Sequence, residues 1–234
     1  MKYFGIDGCK TGWVVWSLEG DRPFMKLVHN LSNIESELEQ GIAMIDIPIG
    51  FSDEKNPDRP CDKAARKFLS PKRGSSVFPV PCREAAYAED YQQACLINLN
   101  TVGKKLSKQT WYILPKVREV DALLAKNTKI QLRESHPEVV FKALQGEHLA
   151  FSKKILDGQQ ERMEIIARYK PDWIPTLKAA LESTKKSYAA ADDLIDALAL
   201  LLVAINSTQL TSLPGKHESI AADTSQEIIY WQPE

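Results

Sequence analysis

Residues 189–205 contain only alanine, leucine, isoleucine, valine and three aspartates, Asp192, Asp193 and Asp196. A helix built from this stretch is apolar on nearly every side, so it is expected as a buried helix rather than a surface one. The aspartates fall in its first turns, and Asp193 and Asp196, three apart, share a face. The helix N-terminus eases their charge by roughly 0.3–1 kcal/mol each, which does not offset crowding several carboxylates in a core. A bound cation does. Asp192 is expected to serve more simply, as the helix N-cap.

Two other aspartates occupy comparable positions. Asp46 interrupts the apolar run 42–50, among Met44, Ile45, Ile47 and Ile49. An ionised carboxylate there is costly unless paired, hydrogen-bonded or metal-bound. Pro48 marks the end of this buried strand, so Asp46 is expected at a C-terminal strand end, where open α/β sheets bind ligands. Asp7 lies between apolar runs 2–6 and 13–18, joined by a connection containing Gly8 and Gly12. This reads as an antiparallel hairpin with Asp7 at the mouth of its first strand, either facing a cleft or forming the turn.

Between and after these landmarks the order is α/β. A short third strand is expected at 24–28. A helix opened by a capping box of Ser32 and Glu35 follows, ending near Gln40 before Gly41. A helix from Val117 to Lys126, after Pro115, precedes a strand at 129–134 that ends on Glu134. Ser135 and Glu138 then read as a second capping box with Pro137 in the first turn, and His136 as solvent-facing. Further helices are expected at 161–169 and 172–181.

The 234 residues, 44% hydrophobic, suit one domain with an elaborated or inserted segment at about 52–128. Net charge is −1, but residues 55–118 carry 13 Lys and Arg against 5 Asp and Glu, and the rest of the chain 17 against 26. Basic contact surface and acidic chemistry thus separate along the chain. Within the basic stretch Arg73, Ser75, Ser76 and Arg83 are candidate anion ligands, in a composition that equally suits a plain surface loop. Cys9, Cys61, Cys82 and Cys95 form no CxxC pair and read as free thiols of a reducing compartment. With no leader and no apolar run near the roughly 20 residues that span a bilayer, a cytoplasmic protein without a membrane partner is expected.

Asp7, Asp46, Glu134 and the Asp193/Asp196 pair come from three strand ends and one buried helix, in an order matching the RNase H-like fold. The run 193–199 is similar to the last-helix acidic motif of RuvC-type resolvases. More closely, residues 5–14, 45–50, 59–62, 75–79 and 192–197 resemble the domain-of-unknown-function 429 family, described as predicted RNase H-fold nucleases. The resemblance spans nearly the whole chain.

It implies a mixed central sheet flanked by helices and a nuclease that hydrolyses phosphodiester bonds with two Mg²⁺ or Mn²⁺ ions about 3.5–4 Å apart. In that scheme Asp7 bridges both ions, Asp46 and either Asp193 or Asp196 hold one each, and Glu134 is a further ligand or base. Lys10, beside Asp7, would contact the scissile phosphate, and nucleic acid is the implied partner. RuvC-type enzymes carry Glu at the place of Asp46. A non-catalytic binding module on the same fold is the alternative; an actin-like phosphotransferase is disfavoured by chain length.

Overall fold

The computed structural model describes residues 1–215 and 226–233. Strand β1 (Lys2–Cys9) turns into β2 (Gly12–Glu19), and the two pair antiparallel with Asp7 opposite Val14. Gly12 takes φ 142°, and a Cβ there would lie 2.2 Å from the Val28 carbonyl oxygen, so the turn requires glycine. Strand β3 (Arg22–Val28) continues the antiparallel meander. One helical turn, α1 (Glu35–Leu38), leads into β4 (Gly41–Asp46), which lies parallel to β1 with Asp46 beside Asp7. Strand β5 (Gln131–Glu134) is parallel to β4, completing a five-stranded mixed sheet of order β3-β2-β1-β4-β5.

The capping box expected at Ser32 and Glu35 is not formed. Leu31–Ile34 is a 3-10 turn in which the Asn30 amide donates to Asn33 Oδ1 at 3.1 Å. Gly41 begins β4 instead of closing a helix, and it is in register with Lys2, whose carbonyl oxygen would lie 2.4 Å from a Cβ there, so the close approach of the two strands requires glycine.

The chain divides into two compact units. One joins Pro48–Lys126 to Ser212–Ile228 and contains the helices α2 (Pro60–Leu69), α3 (Arg83–Ala86), α4 (Tyr91–Val102) and α5 (Lys108–Lys126). Arg59 and Asp62, each 1% exposed, form a buried two-pronged ion pair, Nη2 to Oδ1 at 2.6 Å and Nε to Oδ2 at 3.1 Å. Helix α5 starts well before the expected Val117 and runs through Pro115. Proline removes one ladder hydrogen bond, but Leu114, Val117, Val120 and Leu123 are buried along one side and hold the helix together.

The other unit comprises Met1–Ile47, Asn127–Thr211 and Ile229–Glu234. Besides the sheet it holds α6 (Pro137–Gln145), α7 (Leu156–Tyr169), α8 (Ile174–Ser183) and α9 (Ala191–Ile205). Every residue of α9 from Leu194 to Ala204 is buried. It packs on β1, β4 and β2, with α6, α7 and α8 along its flanks. Gly5 is what lets it approach: a Cβ there would lie 2.1 Å from the Ala197 oxygen and 2.2 Å from the Leu201 nitrogen. Trp16 Nε1 adds a hydrogen bond to the Leu194 oxygen at 2.9 Å. Strands β6 (Leu210–Leu213) and β7 (Ile228–Trp231) pair in a second, two-stranded sheet.

His136, not Ser135, caps α6, its Nδ1 accepting from the Glu138 amide at 3.2 Å, while the Ser135 hydroxyl donates to the Ile229 oxygen. No helix among the described residues is long and apolar enough to cross a membrane. All four cysteines are free and buried.

Candidate functional site

Asp7 and Asp46 are register partners at the C-terminal ends of two parallel strands, which lie about 4.8 Å apart. Side chains two apart on a strand share a face, so Asp7 lies on the side where Gly5 receives α9. The same close approach brings in Asp196, one residue before Ala197 and fully buried. The hairpin turn is tied to the residues leading into α9, since the Thr11 amide and hydroxyl both donate to the Tyr188 oxygen, at 3.3 and 3.2 Å. Among the described residues no donor reaches the Asp7 or Asp46 carboxylates, and Asp196 Oδ1 is buried without a partner.

A cation nonetheless faces these acids. Lys153, in the connection between α6 and α7, donates from Nζ to Asp196 Oδ2 at 2.6 Å and lies 3.8 Å from Asp192 Oδ2. Burial raises the Asp7 carboxyl well above the usual carboxylate range, and the charges of Asp46 and Asp196 push it further. Burial also raises Asp46, against the lowering effect of His136 and Lys153. Asp196 is pushed by burial up to about 6, even with Lys153 attached. Burial lowers Lys153, but the surrounding aspartates outweigh it and the ammonium is held above its ordinary value. One positive charge does not neutralise this many acids.

Of the other expected residues, Asp193 stays close enough for its charge to raise Asp7 and for that of Asp46 to raise it in turn, and the rest fall elsewhere. Glu134 is in register with Ile45, not Asp46, so strand alternation puts it on the opposite face of the sheet from Asp7 and Asp46. Asp193 Oδ2 accepts from the Ala190 amide at 2.8 Å and closes the helix start, the part expected of Asp192. Lys10 is exposed at the hairpin turn. Arg73, Ser75 and Ser76 belong to the other unit, where the Ser76 hydroxyl donates to the Arg73 oxygen across a 3-10 turn. Arg83, in that unit too, is engaged by both oxygens of Asp121 at 2.6 and 2.7 Å and lies over the Phe51 ring.

Two neighbours of the acids were not expected there: Glu138, read from the sequence as part of a helix cap, and Lys153. Glu138 is buried, paired with Arg162 at 2.6 Å, and its charge raises Asp46. Lys153 sits in an irregular connection with no periodicity to mark it.

The donor set is oxygen only, which fits Mg²⁺ or Mn²⁺ and not a softer ion. No group of three or more His, Cys, Asp or Glu among the described residues is gathered to hold a metal ion. Mg²⁺ does not require one, because it is commonly bound through one or two carboxylates and keeps several waters. Asp7 and Asp46 meet that requirement for one ion.

Sheet order, helix layering and a cation-demanding acidic end define a mixed α/β protein, five central strands flanked by helices. A family model described as "Protein of unknown function (DUF429)" matches residues 5–219, and the chain belongs to that family. Comparisons with curated proteins and with solved structures returned no match.

Proposed function

We propose that the protein is a divalent-metal-dependent nuclease hydrolysing phosphodiester bonds on an RNase H-like domain. The observation that carries this reading is the convergence of Asp7, Asp46 and Asp196 from two adjacent strand ends and a buried helix, with no donor among the described residues on the Asp7 and Asp46 carboxylates or on Asp196 Oδ1. The meander followed by two parallel strands, in the order β3-β2-β1-β4-β5, supports the RNase H-like assignment. A bound Mg²⁺ or Mn²⁺ would supply Lewis acidity toward the phosphate. Asp7 and Asp46 would hold that ion, from neighbouring strands that are ordered before it binds. Lys10, exposed on the turn after β1, offers its charge to the substrate backbone. The positive balance of residues 55–118, in the other unit, suits a polyanion in its own right, with Arg73, Ser75 and Ser76 as candidate phosphate contacts. Arg83 joins them only if its Asp121 pair opens. The four unpaired cysteines fit a cytoplasmic location.

The Lys153–Asp196 pair favours a second reading, a nucleic-acid-binding module whose acidic site is neutralised and silent. Labelled single-stranded, duplex and junction oligonucleotides, incubated with Mg²⁺, Mn²⁺ or chelator, separate the two. Cleavage that needs the divalent ion and disappears in Asp7→Asn is the expected result; salt-sensitive binding without cleavage would establish the module instead. Asp46→Asn sharpens the test, because it removes a repelling charge while keeping shape. The variant should melt in chelator no lower than the parent, yet gain less from Mg²⁺. A lower melting temperature in chelator with an unchanged Mg²⁺ response assigns Asp46 to the scaffold.

A further inference from the structure

Lys153 is held by a loop fastened along its length to α7. Both oxygens of Glu161 accept backbone amides, Ala150 at 2.7 Å and Phe151 at 3.0 Å. The buried Arg162 guanidinium bonds the Gly158 oxygen at 3.0 Å and the Phe151 oxygen at 3.4 Å, and Gln159 Nε2 reaches the Lys153 oxygen at 3.5 Å. Gly158 admits the loop, since a Cβ there would lie 1.9 Å from the Ser152 oxygen. A lysine merely balancing surface charge needs no such mounting. Its side chain is 32% exposed and ends on an acid that is 0% exposed. Asp196 Oδ1, on the far side of that carboxylate, is buried and lacks a donor, so the acid has received one cation and retains an oxygen for another.

Two divalent ions and this ammonium cannot share the same few oxygens without strong like-charge repulsion. The ordinary ligand count of a hard ion, one or two carboxylates plus water and substrate oxygens, is met by Asp7 and Asp46 alone. We propose that the centre takes a single divalent ion at the Asp7–Asp46 strand edge, and that the Lys153 ammonium is the built-in second cation. The inference rests on the metal-dependent reading above and puts a side chain in place of the second ion that the family resemblance implies. Lys153 then serves as a fixed positive charge for an approaching phosphate, present before any metal arrives.

The test is Mn²⁺ stoichiometry on the full chain, by calorimetry with Mn²⁺ chloride and by low-temperature electron paramagnetic resonance. The parent should bind one Mn²⁺ with the spectrum of an isolated ion. Lys153→Met, which keeps most of the stem and removes the charge, should bind two and show a spin-coupled pair. Lys153→Arg, a charge-preserving control should the Met variant fold poorly, should bind one. In chelator Lys153→Met should melt below the parent, and Mn²⁺ should raise its melting temperature more. Two coupled ions in the parent overturn the inference and leave the nuclease reading standing. One ion of unchanged affinity in Lys153→Met also overturns it. No Mn²⁺ bound by either protein overturns both.

Discussion

Burial pushes the Asp196 carboxyl from 3.8 up to about 6, so between those values the folded protein holds a proton that the unfolded chain releases. Folding is therefore favoured at the lower pH, and the metal-free protein should lose stability as pH rises from about 4 to about 6. The contribution is on the order of 3 kcal/mol. Burial raises Asp7, Asp46 and Asp193 as well, in the same sense, so the slope is shared. Asp196→Asn should flatten it without abolishing it; chemical melts in chelator across that window measure the difference, and an unchanged slope would show that Asp196 is not the titrating group. At this scale the sequence was readable where a side chain conflicts with its neighbours. Asp46 among isoleucines and Asp196 in an alanine-leucine helix stand out because burying a charge is expensive. Glu134 misleads for a different reason: a register between β4 and β5 that differs by one residue reverses its face, and composition carries no register. Lys153 is harder still, since buried acids announce that a cation is needed but not which of 30 Lys and Arg provides it.

Helix α9 and strand β1 meet through a glycine, which makes their separation testable by one methyl group. The two closest atoms to a Cβ at Gly5 are backbone, Ala197 oxygen and Leu201 nitrogen, so no rotamer change relieves the clash. Gly5→Ala should destabilise the protein by about 3 kcal/mol, the upper part of the overpacking range. It should also push β1 away from α9, shift Asp7 against Asp46 and so reduce Mn²⁺ stabilisation. Ile6→Val, pointing to the other face and fully buried, should lower stability by about 1 kcal/mol and leave the Mn²⁺ shift intact. Equal Mn²⁺ responses from the two variants would mean that the β1–α9 spacing does not govern the acids. Elements with strong patterning, the hairpin, β4 and α9, could be read from the residues alone. Helix ends could not. Pro115 looked like a boundary but lies inside α5, and the caps shifted from Ser135 to His136 and from Asp192 to Asp193. Neighbouring polar residues compete for the same orphan amides at nearly equal free energy, and tertiary packing decides among them.

Across the whole molecule, the unit that holds the acids is discontinuous: β1 to β4 come first, residues 48–126 belong to the other unit, and α9 arrives near the end. A chain shortened to residues 1–190 lacks the helix that covers Gly5, Trp16 and Met44. Its β1 and β4 amides should exchange with deuterium like those of an unfolded chain, while the full chain protects them. Protection in the shortened chain would show that the sheet stands without α9. The same order sets a schedule during synthesis. At 5–20 residues per second, roughly 10–40 s separate the emergence of Asp7 from that of Asp196. Throughout that interval the nascent hairpin displays Val14 and Trp16 with no α9 to cover them, an apolar face open to a ribosome-bound chaperone, and the acidic centre is withheld until α9 itself has been made.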